Sequence, residues 1–280
     1  MKVSFIVLTY NRTDALLPVL RSLASQCNED HEVIVADDGS SDAQVAQLYA
    51  GLPRFKCPVR HIWHRDTGFT AAAARNLGGH YAKGDYLVFL DGDCVPNRSF
   101  VRAHEALAQT RHFVNGSRVL LGEPLTRLAM NGEINLPAQS AAFWWIARLR
   151  GDSNKLLHML YWPWSLFRVK KGFRWHGIRS CNLAVWRADF VAINGFDETF
   201  EGWGHEDADL VLRLSNLGVQ RKNGFLATEV YHLWHRESPR DHESVNRQKV
   251  LQRMSSGLIR AEKGLNELGD DDSVQVTELH

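Results

Sequence analysis

Apolar and polar positions alternate in blocks along the first hundred residues. Four apolar runs have the length and the β-branched or aromatic content of buried strands, and they lie at 3–8, 32–36, 59–64 and 86–90. Three stretches between them have helical spacing or composition, and they lie at 15–23, 43–49 and 70–78. Because strand and helix alternate, this pattern predicts a mostly parallel sheet with helices packed on its faces.

Polar clusters follow three of the predicted strands at their carboxyl ends. The clusters are Thr9-Tyr10-Asn11, Asp37-Asp38-Gly39-Ser40 and Asp91-Gly92-Asp93. In an open α/β sheet the ligand crevice lies beyond the carboxyl ends of the strands, so these side chains are expected to meet at one edge. The sequence has neither a Gly-x-Gly-x-x-Gly motif after the first strand nor a P-loop. A nucleotide phosphate must therefore be held in another way.

Asp91 and Asp93 form the most chemically suggestive of these clusters. Side chains two apart on an extended segment point the same way, and Gly92 between them permits close backbone approach. Carboxylate oxygens suit Mg²⁺ or Mn²⁺ carrying a substrate diphosphate. The same three residues also fit a solvated turn, so the metal interpretation depends on support from elsewhere in the chain.

Composition places the chain among folded globular proteins. It has 280 residues, of which 44% are hydrophobic and 23% charged, and a formal net charge of +1. This near-neutral balance gives no global basis for binding nucleic acid or an anionic membrane. Four cysteines without a Cys-x-x-Cys pair argue against a zinc site or a disulfide framework. The sequence has no signal-peptide or membrane-spanning pattern. The expected location is therefore the cytoplasm, and the inner face of the cytoplasmic membrane is an alternative within it.

Four motifs, in the same order along the chain, resemble those of nucleotide-sugar glycosyltransferases of family 2 with the GT-A fold. They lie at 7–12, 35–42, 74–78 and 89–93. The resemblance covers most of the chain. It implies a Rossmann-like, mostly parallel central sheet flanked by helices, in a single catalytic domain with a helical C-terminal extension. The implied divisions are a nucleotide-sugar-binding half (1–96), an acceptor-binding half (97–238), a C-terminal helix (239–268) and a disordered tail (269–280).

The resemblance also implies roles for individual donor-side residues. Thr9, Tyr10 and Asp38, with Asp37 nearby, are assigned to the nucleoside, and Asn11 is assigned to the donor site. Arg75 is assigned to a place near the base or the diphosphate, Gly92 to the donor site, and Asp91 and Asp93 to the metal. The stretch 179–186 resembles the strand that runs beside the donor sugar in this family, so Asn182 is assigned to the donor site as well.

The strongest pattern of the second half is Gly202-Trp203-Gly204-His205-Glu206-Asp207. It resembles the acceptor loop of galactosyl- and N-acetylgalactosaminyl-transferases. By that resemblance Trp203 stacks on the sugar, Gly204 and Glu206 contact the acceptor, and Asp207 is the catalytic base. The alternative is structural, because acidic residues at the start of a helix, here Glu206, Asp207 and Asp209, are stabilised by the helix dipole.

Two histidines, His232 and His235, follow on a predicted strand. The resemblance implies that a histidine completes the metal site, and His232 matches the family position better. Imidazole suits Mn²⁺ better than Mg²⁺, so the expected cofactor is Mn²⁺, with Mg²⁺ as the alternative.

The predicted activity is an inverting, metal-dependent transfer of a sugar from a nucleoside-diphosphate sugar, most readily a UDP-sugar, to a carbohydrate or lipid-linked glycan. One alternative is a sugar nucleotidyltransferase, although the Gly-rich, lysine-bearing loop expected near the first strand is missing. A second alternative is a non-catalytic carbohydrate-binding module of the same fold. No nucleic-acid partner is expected.

Residues 143–171 hold many tryptophans and basic side chains. One interpretation is a set of core-packing helices and a loop. The other is an aromatic and basic surface for a peripheral membrane contact or a sugar chain. The first is favoured from the sequence, because no helical stripe separates the tryptophans from the basic residues.

Overall fold

The predicted alternation of strand and helix holds in the first half of the computed structural model. The structure describes residues 1–164, 167–170, 172–175, 177–202, 204–236, 242–268 and 273–280. The strands of the first half are β1 (Val3–Thr9), β2 (His31–Asp37), β3 (Val59–Trp63), β4 (Tyr86–Asp91) and β5 (Cys94–Pro96). The helices between them are α1 (Thr13–Ala24), α2 (Asp42–Gly51) and α3 (Ala71–Tyr81).

The second half mixes short strands with helices. Its strands are β6 (His112–Asn115), β7 (Ser117–Leu120), β8 (Val169–Lys170), β9 (Asn182–Trp186), β10 (Gln220–Asn223), β11 (Glu229–His232) and β12 (Gln275–Glu278). Its α-helices are α4 (Phe100–Leu107), α5 (Glu123–Met130), α6 (Ala141–Leu149), α7 (Arg187–Ala192), α8 (Glu206–Asn216) and α9 (Glu243–Arg253). Single 3₁₀ turns lie at Leu136–Ala138, Leu157–Met159 and Leu265–Glu267.

The central sheet has the strand order β12-β3-β2-β1-β4-β9-β6-β10-β8. Strands β3, β2, β1 and β4 are parallel, whereas β9 runs antiparallel to both β4 and β6. A second sheet has the order β5-β11-β7. The parallel part places the carboxyl ends of β1, β2 and β4 at one edge, as the sequence pattern predicted.

Strand β4 lies at the centre of the core. Tyr86, Val88 and Leu90 pack into the hydrophobic cluster on one face of the sheet, and Leu87 and Phe89 pack into the cluster on the other face. Because alternate side chains of a strand point to opposite faces, a strand covered on both sides needs an unbroken apolar run. The helices that cover the two faces thus explain the sequence of β4.

The C-terminal region differs from the predicted helix and tail. Helix α9 ends at Arg253, and a 3₁₀ turn rather than a continued helix occupies Leu265–Glu267. Residues 269–272 lie outside the described residues, but Gln275–Glu278 forms β12 antiparallel to β3, so a disordered tail is wrong for this stretch. The strand covers backbone groups of β3 that would otherwise form an exposed sheet edge, a tertiary effect that a short polar tail does not reveal.

The chain passes from one sheet to the other at Asn115-Gly116. Strand β6 ends at Asn115 and β7 begins at Ser117, and these strands belong to different sheets. A Cβ atom added at Gly116 would lie 2.1 Å from Cγ of Asn182, so the chain can cross between the sheets here because residue 116 has no side chain. In the part of the chain that the structure describes, no helix is long and apolar enough to cross a bilayer.

Candidate active site

A cavity of about 900 Å³ opens at the carboxyl edge of the parallel strands. It extends from the ends of β1 and β4 to the first turn of α8 and the end of β11. The predicted site residues that line it are Thr9, Tyr10, Asp38, Arg75, Asp91, Gly92, Asp93, Gly204, Glu206, Asp207 and His232. Residues more than two hundred positions apart therefore share one cavity.

Asp38 and Tyr10 are held at the end of the cavity nearest β2. The carboxylate of Asp38 accepts hydrogen bonds from the backbone N–H of Thr70, at 3.0 Å, and from its hydroxyl, at 2.5 Å. The Tyr10 hydroxyl donates to Asp66 at 2.9 Å, and the Tyr10 side chain is exposed. A fixed acceptor beside an exposed aromatic ring is chemically suited to a nucleoside.

Asp37 and Asn11 hold the loops rather than face the cavity. Buried Asp37 accepts a hydrogen bond from the backbone N–H of Ser40 at 2.8 Å, and its other oxygen lies 2.9 Å from Nε2 of His61. The Asn11 side chain accepts from the backbone N–H of Ser41 at 2.9 Å. The donor assignment of these two residues is corrected, because their polar atoms are used in fixing the strand ends.

Asn182 is also a structural residue. Its side chain is buried, and its amide donates to the carbonyl oxygens of Thr228, at 2.5 Å, and Ser117, at 3.1 Å. Its own oxygen lies 3.2 Å from Nε2 of His104. Asn182 thus joins the two sheets behind the cavity, which corrects its assignment to the donor site.

Gly92 brings the Asp91-Gly92-Asp93 turn against β1. Its backbone N–H donates to the carbonyl oxygen of Leu8 at 2.7 Å, and a Cβ atom at this position would lie 2.7 Å from the same oxygen. A side chain would force the turn away from β1. The close backbone approach predicted from the sequence is therefore present. It fixes the backbone position of Asp91 and Asp93.

Arg75 of α3 connects the end of β4 with the first turn of α8. Its guanidinium group lies 2.9 Å from Asp91 and 3.4 Å from Glu206, and its side chain is only 5% exposed. Burial lowers the pKa of Arg75, but the charges of Asp91 and Glu206 outweigh burial and raise it overall. The Arg75 side chain therefore does not extend freely toward a nucleoside base. It is a fixed cation between α3 and α8.

Asp93 lies beside both histidines. Its Oδ2 atom is 3.2 Å from Nε2 of His235 and 3.8 Å from Nε2 of His232. Burial raises the pKa of Asp93, but the hydrogen bond from His235 and the nearby imidazoles lower it overall. The position of His235, nearer to Asp93 than His232, was not expected from the sequence.

A metal ion fits this group of side chains. One ligand atom from each of Asp93, Cys94 and His232 lies within 4.8 Å of the other two, a convergence found within the residues that the structure describes. Burial raises the pKa of the Cys94 thiol well above its usual range, which disfavours the thiolate that a metal would bind. Carboxylate and imidazole are ligands compatible with Mn²⁺, and Asp91 lines the same cavity.

Asp207 lies in the first turn of α8, with its carboxylate toward the cavity. It accepts a hydrogen bond from the backbone N–H of Ala208 at 2.7 Å. Burial, followed by the negative charge of Glu206, raises the pKa of Asp207 to about 7, although Ala208 and Arg75 act in the opposite direction. A carboxylate with this pKa can accept a proton near neutral pH.

Asp209 differs from Asp207 although the two are neighbours on the helix. It is fully buried and lies 2.7 Å from Arg213 and 2.7 Å from Arg253. The structural interpretation of the acidic turn therefore applies to Asp209.

Trp203, whose ring was predicted to stack on the sugar, lies outside the described residues.

Several residues that line the cavity were not predicted as site residues from the sequence. They are Arg12, Arg118, Trp175, Arg179, His205, Trp234, His235 and Arg247. The rings of Trp175 and His205 lie 5.5 Å apart, and the guanidinium of Arg247 lies 5.7 Å from the Trp175 ring centroid. Arg12, Arg179 and His205 lie in stretches that resemble the family, and His235 follows His232 by three residues. Tertiary structure alone brings the others, Arg118, Trp175, Trp234 and Arg247, to the cavity.

Comparison with known proteins shows similarity along most of the chain. Residues 4–172 match the family described as "Glycosyl transferase family 2", and residues 166–236 match one described as "N-terminal domain of galactosyltransferase". Validoxylamine A glucosyltransferase of Streptomyces hygroscopicus subsp. jinggangensis is 30% identical over 237 residues, covering 77% of this chain and 52% of that protein. The chain thus spans about half the length of this curated relative.

Two solved structures share the fold. S. aureus TarS 1–349 in complex with UDP-GlcNAc has a TM-score of 0.57 and 17% identity, covering 95% of this chain and 69% of that one. Mannosyltransferase PcManGT from Pyrobaculum calidifontis, in complex with GDP-Man and Mn²⁺, has a TM-score of 0.55 and 16% identity, with coverage of 94% and 65%. The predicted GT-A fold is confirmed.

Proposed function

The chain belongs to glycosyl transferase family 2, and from this premise we propose that it transfers a sugar from a nucleoside-diphosphate sugar to a hydroxyl group of a carbohydrate or lipid-linked glycan. The observation that carries the proposal is the single cavity that joins three chemistries. These are the polar crevice at Asp38, the carboxylate–imidazole group at Asp93, and the carboxylate of Asp207. Each corresponds to one requirement of sugar transfer: a nucleoside, a diphosphate and an acceptor.

UDP is the proposed nucleoside diphosphate. TarS, which shares the fold, binds UDP-GlcNAc, and residues 166–236 match a galactosyltransferase domain. PcManGT binds GDP-Man, so the experiment below compares UDP-sugars with GDP-sugars.

All four cysteines are free and buried, which is compatible with a cytoplasmic location.

Asp93 and His232 would hold the divalent cation, with Asp91 beside them in the cavity. When bound, Mn²⁺ or Mg²⁺ would neutralise charge that develops on the leaving diphosphate. PcManGT contains Mn²⁺, and the imidazole favours the same ion here. His235 hydrogen-bonds Asp93 and so orients this carboxylate.

Asp207 acts as the base in this proposal. Its carboxylate takes the proton of the acceptor hydroxyl as that oxygen attacks the anomeric carbon, and the bond from the anomeric carbon to the diphosphate oxygen breaks. Attack from the face opposite the diphosphate inverts the anomeric centre. Glu206 contributes by keeping the pKa of Asp207 near neutrality.

A panel of UDP-, GDP- and dTDP-sugars, each incubated with the protein and Mn²⁺, tests the proposal. We expect one UDP-sugar to raise the melting temperature and to be slowly hydrolysed to UDP, and we expect the Asp207→Asn variant to keep the thermal shift but lose hydrolysis. If no nucleotide sugar stabilises the protein or is consumed, the proposal is wrong. Formation of pyrophosphate from UTP and a sugar phosphate would instead identify a nucleotidyltransferase.

A further inference from the structure

Large apolar side chains are exposed in α6 and in the loop before β8. The aromatic surface, as we name it, consists of Trp145, Ile146, Leu149, Trp162, Trp164 and Phe167. Trp162 is 60% exposed, Trp164 66% and Phe167 96%. Exposed apolar side chains in this number are typical of a binding surface. Because these side chains are exposed, the core-packing interpretation of residues 143–171 is wrong for them.

Helix α6 is held to the fold by one of two adjacent tryptophans. Trp144 is buried, stacks on Tyr231 with ring centroids 4.7 Å apart, and meets His158 edge-on at 4.5 Å. Trp145, the next residue, faces solvent. The helix is therefore amphipathic with an anchored inner face, and its outer face carries Trp145, Ile146 and Leu149.

The loop that carries Trp162 and Trp164 is fixed from inside by Arg168. This buried guanidinium donates to the carbonyl oxygens of both tryptophans, and also to that of Phe225 at 2.7 Å. The backbone N–H of Trp162 donates to the carbonyl oxygen of Leu226 at 2.7 Å. The backbone of the loop is thus anchored while its rings point outward, an arrangement that lowers the entropic cost of binding.

The aromatic surface lies in a strongly basic part of the chain. Residues 141–175 contain seven Lys or Arg and one Asp, a net charge of +6, whereas the whole chain has a net charge of +1. Arg148, Arg150 and Lys170 are exposed in this segment. Rings of Trp and Phe flanked by basic side chains match the interface of an anionic bilayer, which offers both apolar depth and negative headgroups.

We propose that the aromatic surface binds the interface of an anionic phospholipid membrane. A bilayer accounts for the observations better than a glycan, because a sugar needs polar partners beside the stacking rings and the Arg168 N–H groups there bond to backbone carbonyls. The segment that follows α6 is joined to a strand that lines the cavity. The Leu120 N–H donates to Asn154 at 2.8 Å, which ties the segment after α6 to the strand whose Arg118 and Leu120 line the cavity.

Sedimentation with sucrose-loaded vesicles tests this proposal on the full chain. We expect the protein to bind vesicles of phosphatidylcholine mixed with phosphatidylglycerol, to bind phosphatidylcholine alone weakly, and to lose binding as salt is raised. The variant Trp162→Ser/Trp164→Ser/Phe167→Ser should lower the partition constant about tenfold or more. The matched control Val191→Ser/Leu251→Ser removes exposed apolar groups elsewhere and should bind as the wild type does.

A second variant tests how much the basic side chains contribute to membrane binding. Arg148→Gln/Arg150→Gln/Lys170→Gln should weaken binding to the anionic vesicles about tenfold or more, whereas Arg54→Gln/Lys56→Gln should not. Circular dichroism and the melting temperature check that every variant is folded. The proposal is overturned if the wild type does not sediment with anionic vesicles, if the controls lose as much binding, or if light scattering shows that the aromatic variant instead dissociates a dimer.

Discussion

The donor half (1–96) and the acceptor half (97–238), as we propose to divide the chain, hold their acidic side chains differently. In the donor half, Asp37 and Asp38 accept hydrogen bonds from the loops and strands around them. In the acceptor half, Asp207 lies beside Glu206, and its pKa is raised to about 7. A carboxylate with complete hydrogen bonds is a fixed acceptor, whereas one with a raised pKa can exchange a proton at neutral pH. The first arrangement suits binding and the second suits chemistry.

The two halves are also stabilised differently. The donor half rests on β4, a strand buried between two apolar clusters. Helix α8 of the acceptor half rests on a buried ion cluster in which Arg253 lies 3.0 Å from Asp197 and 2.7 Å from Asp209. Hydrophobic burial tolerates small shifts, but a buried charge without its partner is costly. The acceptor half should therefore be the more sensitive to single substitutions.

The largest effect is expected at Asp93, where the halves meet. Asp93→Asn should lower sugar transfer by about 10⁴-fold, since the metal contributes several kcal/mol of charge stabilisation, and should also abolish the Mn²⁺ dependence of UDP binding. Chelation with EDTA should reproduce both effects in the wild type. Calorimetric titration with UDP and rate measurements check this, with Asp30→Asn as the exposed control. Retained Mn²⁺-dependent binding in Asp93→Asn would remove Asp93 from the metal site.

Asp207→Asn separates the two halves, because it should affect only the acceptor side. The amide cannot take the proton of the acceptor, so kcat should fall about 10³-fold while the affinity for UDP with Mn²⁺ stays unchanged. Steady-state kinetics and UDP titration provide the two readouts. Glu201→Gln, in the exposed loop before α8, is the control. A comparable loss of UDP affinity would show that Asp207 serves the donor instead.

Arg253→Met tests whether the ion cluster supports the acceptor half. It leaves the buried carboxylates of Asp197 and Asp209 without one of their cations, so the free energy of unfolding should fall by about 3–5 kcal/mol. Urea unfolding and the melting temperature measure this change. Arg65→Met, at an exposed position, should have little effect. Equal stability of the two variants would contradict the importance of the cluster.

The smallest effect concerns pH. Protonated Asp207 cannot act as a base, so kcat should fall as the pH drops below about 7, the raised pKa of this group. Glu206→Gln removes the neighbouring negative charge that helps to raise this pKa, so the acidic limb of the profile should move to lower pH. The pH dependence of kcat checks the shift. An unchanged limb in Glu206→Gln would mean that another group controls the profile.

In the donor half, the order of the motifs predicted which residues line the cavity. This was possible because each strand is followed directly in sequence by its polar residues. Thr9, Asp38, Asp91 and Asp93 line the cavity as that order suggested. Asn182 did not follow its motif, because the carbonyl groups that its amide contacts belong to Ser117 and Thr228. Such partners are distant in sequence, and no local pattern identifies them.

The sequence by itself determined the alternation of strands and helices, the family and the carboxyl-end clusters, because hydrophobic periodicity and short motifs are local properties. Only the tertiary structure decided the place of Arg75 between Asp91 and Glu206, the raised pKa of Asp207 and the outward direction of Trp162 and Trp164. Charge and exposure depend on which groups come together in space. Chain contacts over long sequence separations set them, and these contacts exist only once the chain has folded.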